Sequence, residues 1–191
     1  MSLDGFVADP SGEVGPLFDW YQNGPVAMPF PNPHWTAHVS EASAAYLREG
    51  LVEIRALISG RSLFDHAHGW GGRHTTDVPV FVVTHRPPPE GWPADAPFTF
   101  VTDGVESAVA QAKAVAGGGV VAVASASVAQ QCLDAGLLDE IGVSLVPVLL
   151  GRGIRFFDHL GGAPVMLEDP RVVEGTAVTH LRYRVKRRRA S

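Results

Sequence analysis

Residues 123–153 read VASASVAQQCLDAGLLDEIGVSLVPVLLGRG, and the fold class turns on how this stretch is parsed. The segment leading into it, VVAVA at residues 120–124, is short, apolar and β-branched, as a strand buried on both faces is. Ser125-Ala126-Ser127 then turns the chain with no side chain larger than a hydroxymethyl group. Val128, Cys132 and Ala135 recur at i, i+4 and i+7, one helical face, and Gly136 ends the helix. An acidic pair, Asp139-Glu140, leads to an apolar strand over residues 141–150 and to Gly151 and Gly153. A strand that turns through small residues onto a helix N-terminus offers N–H groups and a positive dipole end to an anion. That is a phosphate cradle in outline, but a turn kept small for packing alone has the same sequence. The stretch by itself leaves both readings open.

Working outward, the same alternation recurs. Ser40 starts a helix in which Ala44, Leu47 and Leu51 keep a 3–4 spacing up to about Glu53. Residues 54–59 read as a strand ending at Gly60, and residues 80–84 and 98–102 as two more. Asp103 and Glu106 fit a capping box for a helix whose Val105, Val109, Ala112 and Ala116 share a face, and Gly117-Gly118-Gly119 stops it. Residues 165–173 and 177–185, separated by Glu174-Gly175-Thr176, predict an antiparallel hairpin. Parallel strand–helix units followed by a hairpin make an α/β domain with a mixed sheet. Pro147 interrupts the 141–150 strand, which suits a sheet edge or a bulge. Residues 9–35 carry six prolines and predict a long loop, whose Trp20, Tyr21, Phe30 and Trp35 suit a lid or a binding wall. Residues 66–78 read as a Gly/His loop, and PPPEGWPADAP at 87–97 as a rigid surface connection.

Composition narrows the function classes. At 191 residues the chain is one domain, with a basic tail at 186–191. A net charge of −5 excludes a general nucleic-acid binder. One cysteine, Cys132, excludes an intramolecular disulfide and suits a cytoplasmic protein, and no apolar run reaches membrane-spanning length. His66, His68 and His74 sit on one loop, but no carboxylate or cysteine completes a ligand set, and no metal is expected. The KRRR run from Lys186 reads as a solvated end rather than an anion site.

SLDGFVAD at 2–9, ISGRSLFD at 58–65, PVFVVTHRPP at 79–88, GLLDE at 136–140 and PVLLGRG at 147–153 stand in a fixed order. Taken together they resemble the reductase domain of the bifunctional riboflavin-biosynthesis enzymes, whose wider family is similar to dihydrofolate reductase in fold. The resemblance covers essentially the whole chain. It implies a three-layer sandwich around a mixed, mostly parallel sheet, and NADPH-dependent reduction of a small heterocyclic or carbonyl-type substrate. The zinc deaminase half of those enzymes needs an HxE and a PCxxC, and neither is present.

Gly60-Arg61-Ser62 and Thr84-His85-Arg86 each follow a strand at its C-terminal end, where open α/β sheets bind ligands. Gly60 allows close approach, and Arg61, His85 and Arg86 suit a 2′-phosphate, which separates NADP from NAD. The resemblance assigns these two loops to the adenosine phosphate end of NADPH. Ser125, Ala126, Ser127 and Val128 are assigned to its pyrophosphate; Val7, Ala8, Leu150, Gly151 and Gly153 border the rest of the cofactor. Relatives tend to carry a glycine pair at 125–127 and a threonine at Leu63; Ser127 is expected to compensate by capping the helix. Asp4 is the candidate catalytic residue, though a turn-forming Asp-Gly without chemistry accounts better for it; Asp19 and Asp65 are unranked candidate proton relays. In relatives a full strand precedes SLDG, so the expectation is an apolar segment ahead of Ser2, or a stub of that strand at residues 1–3. A homodimer is expected through the 141–150 strand, apolar on both faces. The alternative function is a non-catalytic module that binds a nucleotide or pterin-like ligand.

Overall fold

A computed structural model describes residues 1–186; the rest of the basic tail lies outside the described residues. Four strands form a parallel sheet in the order β6-β5-β4-β7: β4 is Ile54–Gly60, β5 Val80–Val83, β6 Phe98–Val101 and β7 Val120–Val123. Because side chains alternate along a strand, this sheet feeds two cores. Ala56, Ile58, Phe81 and Val101 pack with Val105, Ala108, Val109 and Ala112 of α3 (Val105–Ala116) and Val128 and Cys132 of α4 (Ala126–Asp134). Leu57, Val80 and Val82 face the other way, onto Phe64 of the short helix α2 (Arg61–His66) and the ring of Trp92. α4 ends as its sequence predicts. Gly136 takes φ +69°, its N–H reaches the Leu133 carbonyl, and the Leu137 N–H reaches that of Cys132.

A second, antiparallel sheet has the order β10-β11-β8, with β8 at Glu140–Leu145, β10 at Arg171–Gly175 and β11 at Val178–Arg184. The helix α1 (Glu41–Glu53) is capped by Ser40, whose hydroxyl accepts the Ser43 N–H. His180 joins α1 to this sheet. It is fully buried, stacks on Tyr46, and lies 3.0 Å from the Ser43 hydroxyl and 2.9 Å from that of Ser144. Burial lowers its pKa to about 4, so it is neutral.

Several expectations are corrected. Residues 9–35 are not one long loop. They hold a 3-10 helix (Gly15–Tyr21) and the strand β2 (Val26–Pro29), which pairs with β3 (Thr36–Val39). Leu17, Trp20, Met28 and Phe30 are buried with Ala37, Val39 and Val146. Prolines at the strand ends leave the ladder intact, and the aromatic rings build a core instead of a wall. The hairpin pairs Gly175 with Val178, so its turn falls on Thr176-Ala177 rather than on residues 174–176, with Ala177 at φ +56°. The α3 cap is Gly104, at φ +101° with no side-chain cap, so the Asp103–Glu106 box does not form. Along the 141–150 run, Ile141, Val143 and Val146 are each 6% exposed within the single chain, whereas Leu149 is 67% exposed.

Residues 1–3 lie alongside the end of β8 and the chain just after it. The Met1 ammonium donates to the Ser144 carbonyl (2.7 Å), the Val146 N–H donates to the Met1 carbonyl (2.9 Å), and Ser2 bridges Val146 in parallel. The Gly/His loop contains a left-handed turn, with φ of +48°, +57°, +50° and +63° at His68, Gly69, Trp70 and Gly71.

Candidate functional site

Because β4, β5 and β7 run parallel, their C-terminal ends meet at one edge of the sheet. The Gly60 N–H donates to the Ser125 hydroxyl (2.7 Å), tying the first loop to the turn ahead of α4. A Cβ on Gly60 would stand 3.1 Å from that oxygen and 3.3 Å from a Val128 methyl group. Its φ is −87°, so the position needs glycine for this close packing and not for backbone handedness.

The first loop and the loop after β5 meet at a carboxylate. One Asp65 oxygen accepts Arg61 Nε (2.7 Å) and the other accepts Arg86 Nη2 (2.8 Å). Arg61 also donates to the Pro87 carbonyl (2.8 Å) and lies over the rings of Phe64 and Phe100, at 5.8 and 5.9 Å. The Thr84 hydroxyl accepts the Arg86 N–H (3.0 Å). The two basic strand ends therefore converge, and Asp65 is the junction between them. Arg61 keeps a side chain 14% exposed, whereas that of Arg86 is 63% exposed and His85 is exposed beside it. The sequence carries the clue in the i,i+4 spacing of Arg61 and Asp65.

α4 begins at Ala126 with Ser125 as its cap residue. The Ser125 hydroxyl is engaged by Gly60 and caps nothing. Ser127 lies inside the first turn, exposed, so its expected capping role is also wrong. By helix geometry the N–H groups of Ala126, Ser127 and Val128 have no acceptor within the helix. The first intrahelical bond runs from Ala129 N–H to the Ser125 carbonyl. The turn thus serves packing at Ser125 and presents anion-seeking donors one residue later.

From the middle of α4, Gln130 donates to the Phe156 carbonyl (2.9 Å), which brings in β1 (Phe6–Ala8) and β9 (Ile154–Arg155) as an antiparallel ribbon. Gly153 approaches Ala8 so closely that a Cβ there would fall 2.0 Å from the Ala8 carbonyl oxygen. Asp4 joins the remaining pieces. Its oxygens accept the N–H groups of Leu150 (3.1 Å) and Gly151 (2.7 Å). Hydrogen bonds from the Ser2 hydroxyl and from these amides hold its carboxyl below the usual range. A carboxylate so held is a clamp and a poor proton donor. Arg155 lies over the Phe6 ring at 4.5 Å and donates to the Asp4 carbonyl, a contact the sequence reading missed. Val7, Ala8, Leu150, Gly151 and Gly153 are thus gathered at one ribbon, and Gly60 to Ser62, Thr84 to Arg86 and residues 125–128 at the sheet edge. α4 spans the two.

Asp19 is exposed on the 3-10 helix. His66 Nε2 lies 3.6 Å from Glu13, while His74 is bonded to Thr76 and held neutral by burial, with its pKa lowered to about 4. Among the described residues no three His, Cys, Asp or Glu side chains gather as a metal site, and no helix is long and apolar enough to cross a membrane.

The sequence model of the RibD C-terminal domain matches residues 1–181. The chain belongs to that family. No curated protein matches the sequence directly. Among solved structures, a protein assigned to riboflavin biosynthesis from Shewanella sp. PV-4 aligns over 98% of this chain and 96% of its own, with TM-score 0.67 and 24% identity. Dihydrofolate reductase from Enterococcus faecalis, complexed with NADP(H) and RAB-propyl, aligns over 98% of this chain and 93% of its own (TM-score 0.59, 15% identity). Acinetobacter baumannii RibD aligns over 97% of this chain, which corresponds to 55% of that protein (TM-score 0.58, 14% identity). At these identities the structural likeness speaks to fold. This RibD C-terminal domain therefore has the dihydrofolate reductase-like α/β architecture, and its family is a reductase domain.

Proposed function

We propose that the protein is an NADPH-dependent reductase that transfers hydride to a small heterocyclic or carbonyl-type substrate. The observation that carries this reading is the convergence of Arg61 and Arg86 on Asp65 beside the first turn of α4. NADPH, when bound, supplies the hydride, so the protein's own task is to bind, orient and exclude water. The fit is chemical: two guanidinium groups, the exposed imidazole of His85 and a helix N-terminus form one cationic, donor-rich edge. Arg86 and His85 would take the 2′-phosphate, and the N–H groups of residues 126–128 the pyrophosphate. Val7, Ala8 and Gly153 would form a flat wall of small side chains and backbone on the ribbon that Gln130 of α4 holds. Asp4 would keep that wall in place through the amides of Leu150 and Gly151.

Titration of tryptophan fluorescence with NADPH and with NADH tests the binding half of the reading. Saturable binding with NADPH preferred supports it; no binding of either removes it. Consumption of NADPH over a panel of heterocyclic and carbonyl substrates tests the chemistry. The engagement of both Asp4 oxygens by backbone amides leaves that end without an evident proton donor, which favours a binding module as the second reading. Tight NADPH binding without turnover on any substrate would select it.

A further inference from the structure

The two guanidinium groups on Asp65 differ in how firmly they are held. Arg61 is fixed by one Asp65 oxygen, by the Pro87 carbonyl and by the rings of Phe64 and Phe100, and its side chain is only 14% exposed. The Arg86 guanidinium has one partner among the described residues, the other Asp65 oxygen at 2.8 Å, and its side chain is 63% exposed. The backbone of Arg86 is nevertheless anchored, because the Thr84 hydroxyl accepts its N–H (3.0 Å). A side chain on a fixed base, held by one ion pair in solvent, is free to exchange that partner for another without disturbing the loop beneath it.

Exposed ion pairs are weak and compete with anions from solution. A phosphate monoester carries about −1.5 to −2 at neutral pH and offers three acceptor oxygens, more charge and more acceptors than a carboxylate. On Coulombic grounds it takes Arg86 from Asp65, which an uncharged ribose hydroxyl does not. Arg61, with its carbonyl and ring contacts, stays where it is. The carboxylate also sets what the free edge attracts. Two guanidinium groups and one carboxylate leave a single net positive charge, so a monoanion gains little by opening the pair. Once a dianion is seated, the same carboxylate stands beside it and repels it.

We infer that Asp65 is a displaceable counter-anion: in the free protein its carboxylate stands in for phosphate on Arg86, and a dianionic phosphate monoester releases Arg86 from it while Arg61 remains paired. The inference rests on the proposed 2′-phosphate site at this edge. It makes Asp65 a determinant of ligand charge, which keeps weaker anions off the edge at the expense of affinity for the phosphate itself.

Calorimetric titration of the wild type and of Asp65→Asn with adenosine 2′-monophosphate, NADPH and NADH tests this. Asparagine keeps the size and one acceptor oxygen for Arg61 but removes the charge. Asp65→Asn should bind adenosine 2′-monophosphate and NADPH roughly three- to tenfold more tightly than the wild type, with NADH unchanged. In the wild type, adenosine 2′-monophosphate should shift the Nε–Hε resonance of Arg86 far more than that of Arg61, and this readout decides if the variant fails to fold. Equal or weaker binding by a folded Asp65→Asn, or a larger shift at Arg61, overturns the inference. Its failure is distinct from that of the proposed activity. NADPH binding that the substitution leaves unchanged removes the counter-anion and spares the reductase. A wild type that ignores NADPH, beside an Asp65→Asn that binds adenosine 2′-monophosphate more tightly, removes the reductase and spares the counter-anion. If neither protein binds either phosphate, both fall.

Discussion

Asp65 shows how one side chain decides what two others can do. It neutralises one donor face of Arg61 and one of Arg86, and so leaves Arg86, the more exposed, as the freer cation for a phosphate. Arg86→Ala should weaken NADPH binding by roughly ten- to a hundredfold and leave NADH nearly unaffected, as measured by calorimetric titration. Arg61→Ala should differ, lowering the melting temperature as well, because Arg61 also carries the Pro87 carbonyl and two aromatic rings. Asp4→Asn should lower thermal stability while leaving the pH profile of turnover unchanged; a lost acidic limb would show that Asp4 moves a proton after all. His74 and His180 make an acid-sensitive pair. Each is neutral in the fold with a pKa lowered to about 4, against 6.5 when unfolded, so the unfolded chain binds more protons between those values. Stability present at pH 7 should fall as pH drops from about 6.5 toward 4, by up to about 3 kcal/mol per histidine. Urea unfolding at several pH values checks this, and His180→Gln should flatten the curve.

The bond from Gly60 to Ser125 matters to whole elements because it locks the end of β4 against the start of α4. Ser125→Ala should leave the Gly60 N–H buried without an acceptor and cost on the order of 1–3 kcal/mol in urea unfolding. NADPH affinity should fall with it, since the donors of residues 126–128 lose their seat. Elements of this kind were legible in the sequence wherever hydrophobic period and punctuation agree. The run VVAVA gives a strand, the face of Val128 and Cys132 is buried and Gly136 stops the helix, but β7 is not buried on both faces and Ala135, read on that helical face, is exposed beyond the end of α4. The convergence of loops was not legible, because it depends on strand order, which period and spacing do not encode. Residues 9–35 misled for the same reason. Their prolines mark breaks in the backbone correctly, but Leu17, Trp20 and Met28 are buried by partners such as Val146 that lie far along the chain. Likewise Ser125, read as a cradle or a packing turn, does the packing, while Ser127 two residues on is exposed.

At the scale of the whole molecule, α4 is the member that makes one site out of two. Its first turn belongs to the sheet edge and Gln130 holds the ribbon of β1 and β9. The two ends of the proposed cofactor groove should therefore loosen together when this helix is disturbed. Gln130→Ala should weaken NADPH binding without altering the preference over NADH, since the cationic loops are untouched.

The run from His68 to Gly71 holds four successive residues in a conformation natural to mirror-image amino acids. Nothing in the fold lies within 4 Å of the Cβ direction of an L-residue at Gly71, and its φ of +63° and ψ of +25° are those a D-residue prefers. Chirality, and not size, is what glycine supplies there. A chain assembled by chemical ligation with D-alanine at 71 should be more stable by about 0.4–1 kcal/mol, through a narrower unfolded ensemble, while L-alanine at the same place should be less stable. A protein built from one hand of amino acid thus carries, in this turn, a ready place for the other.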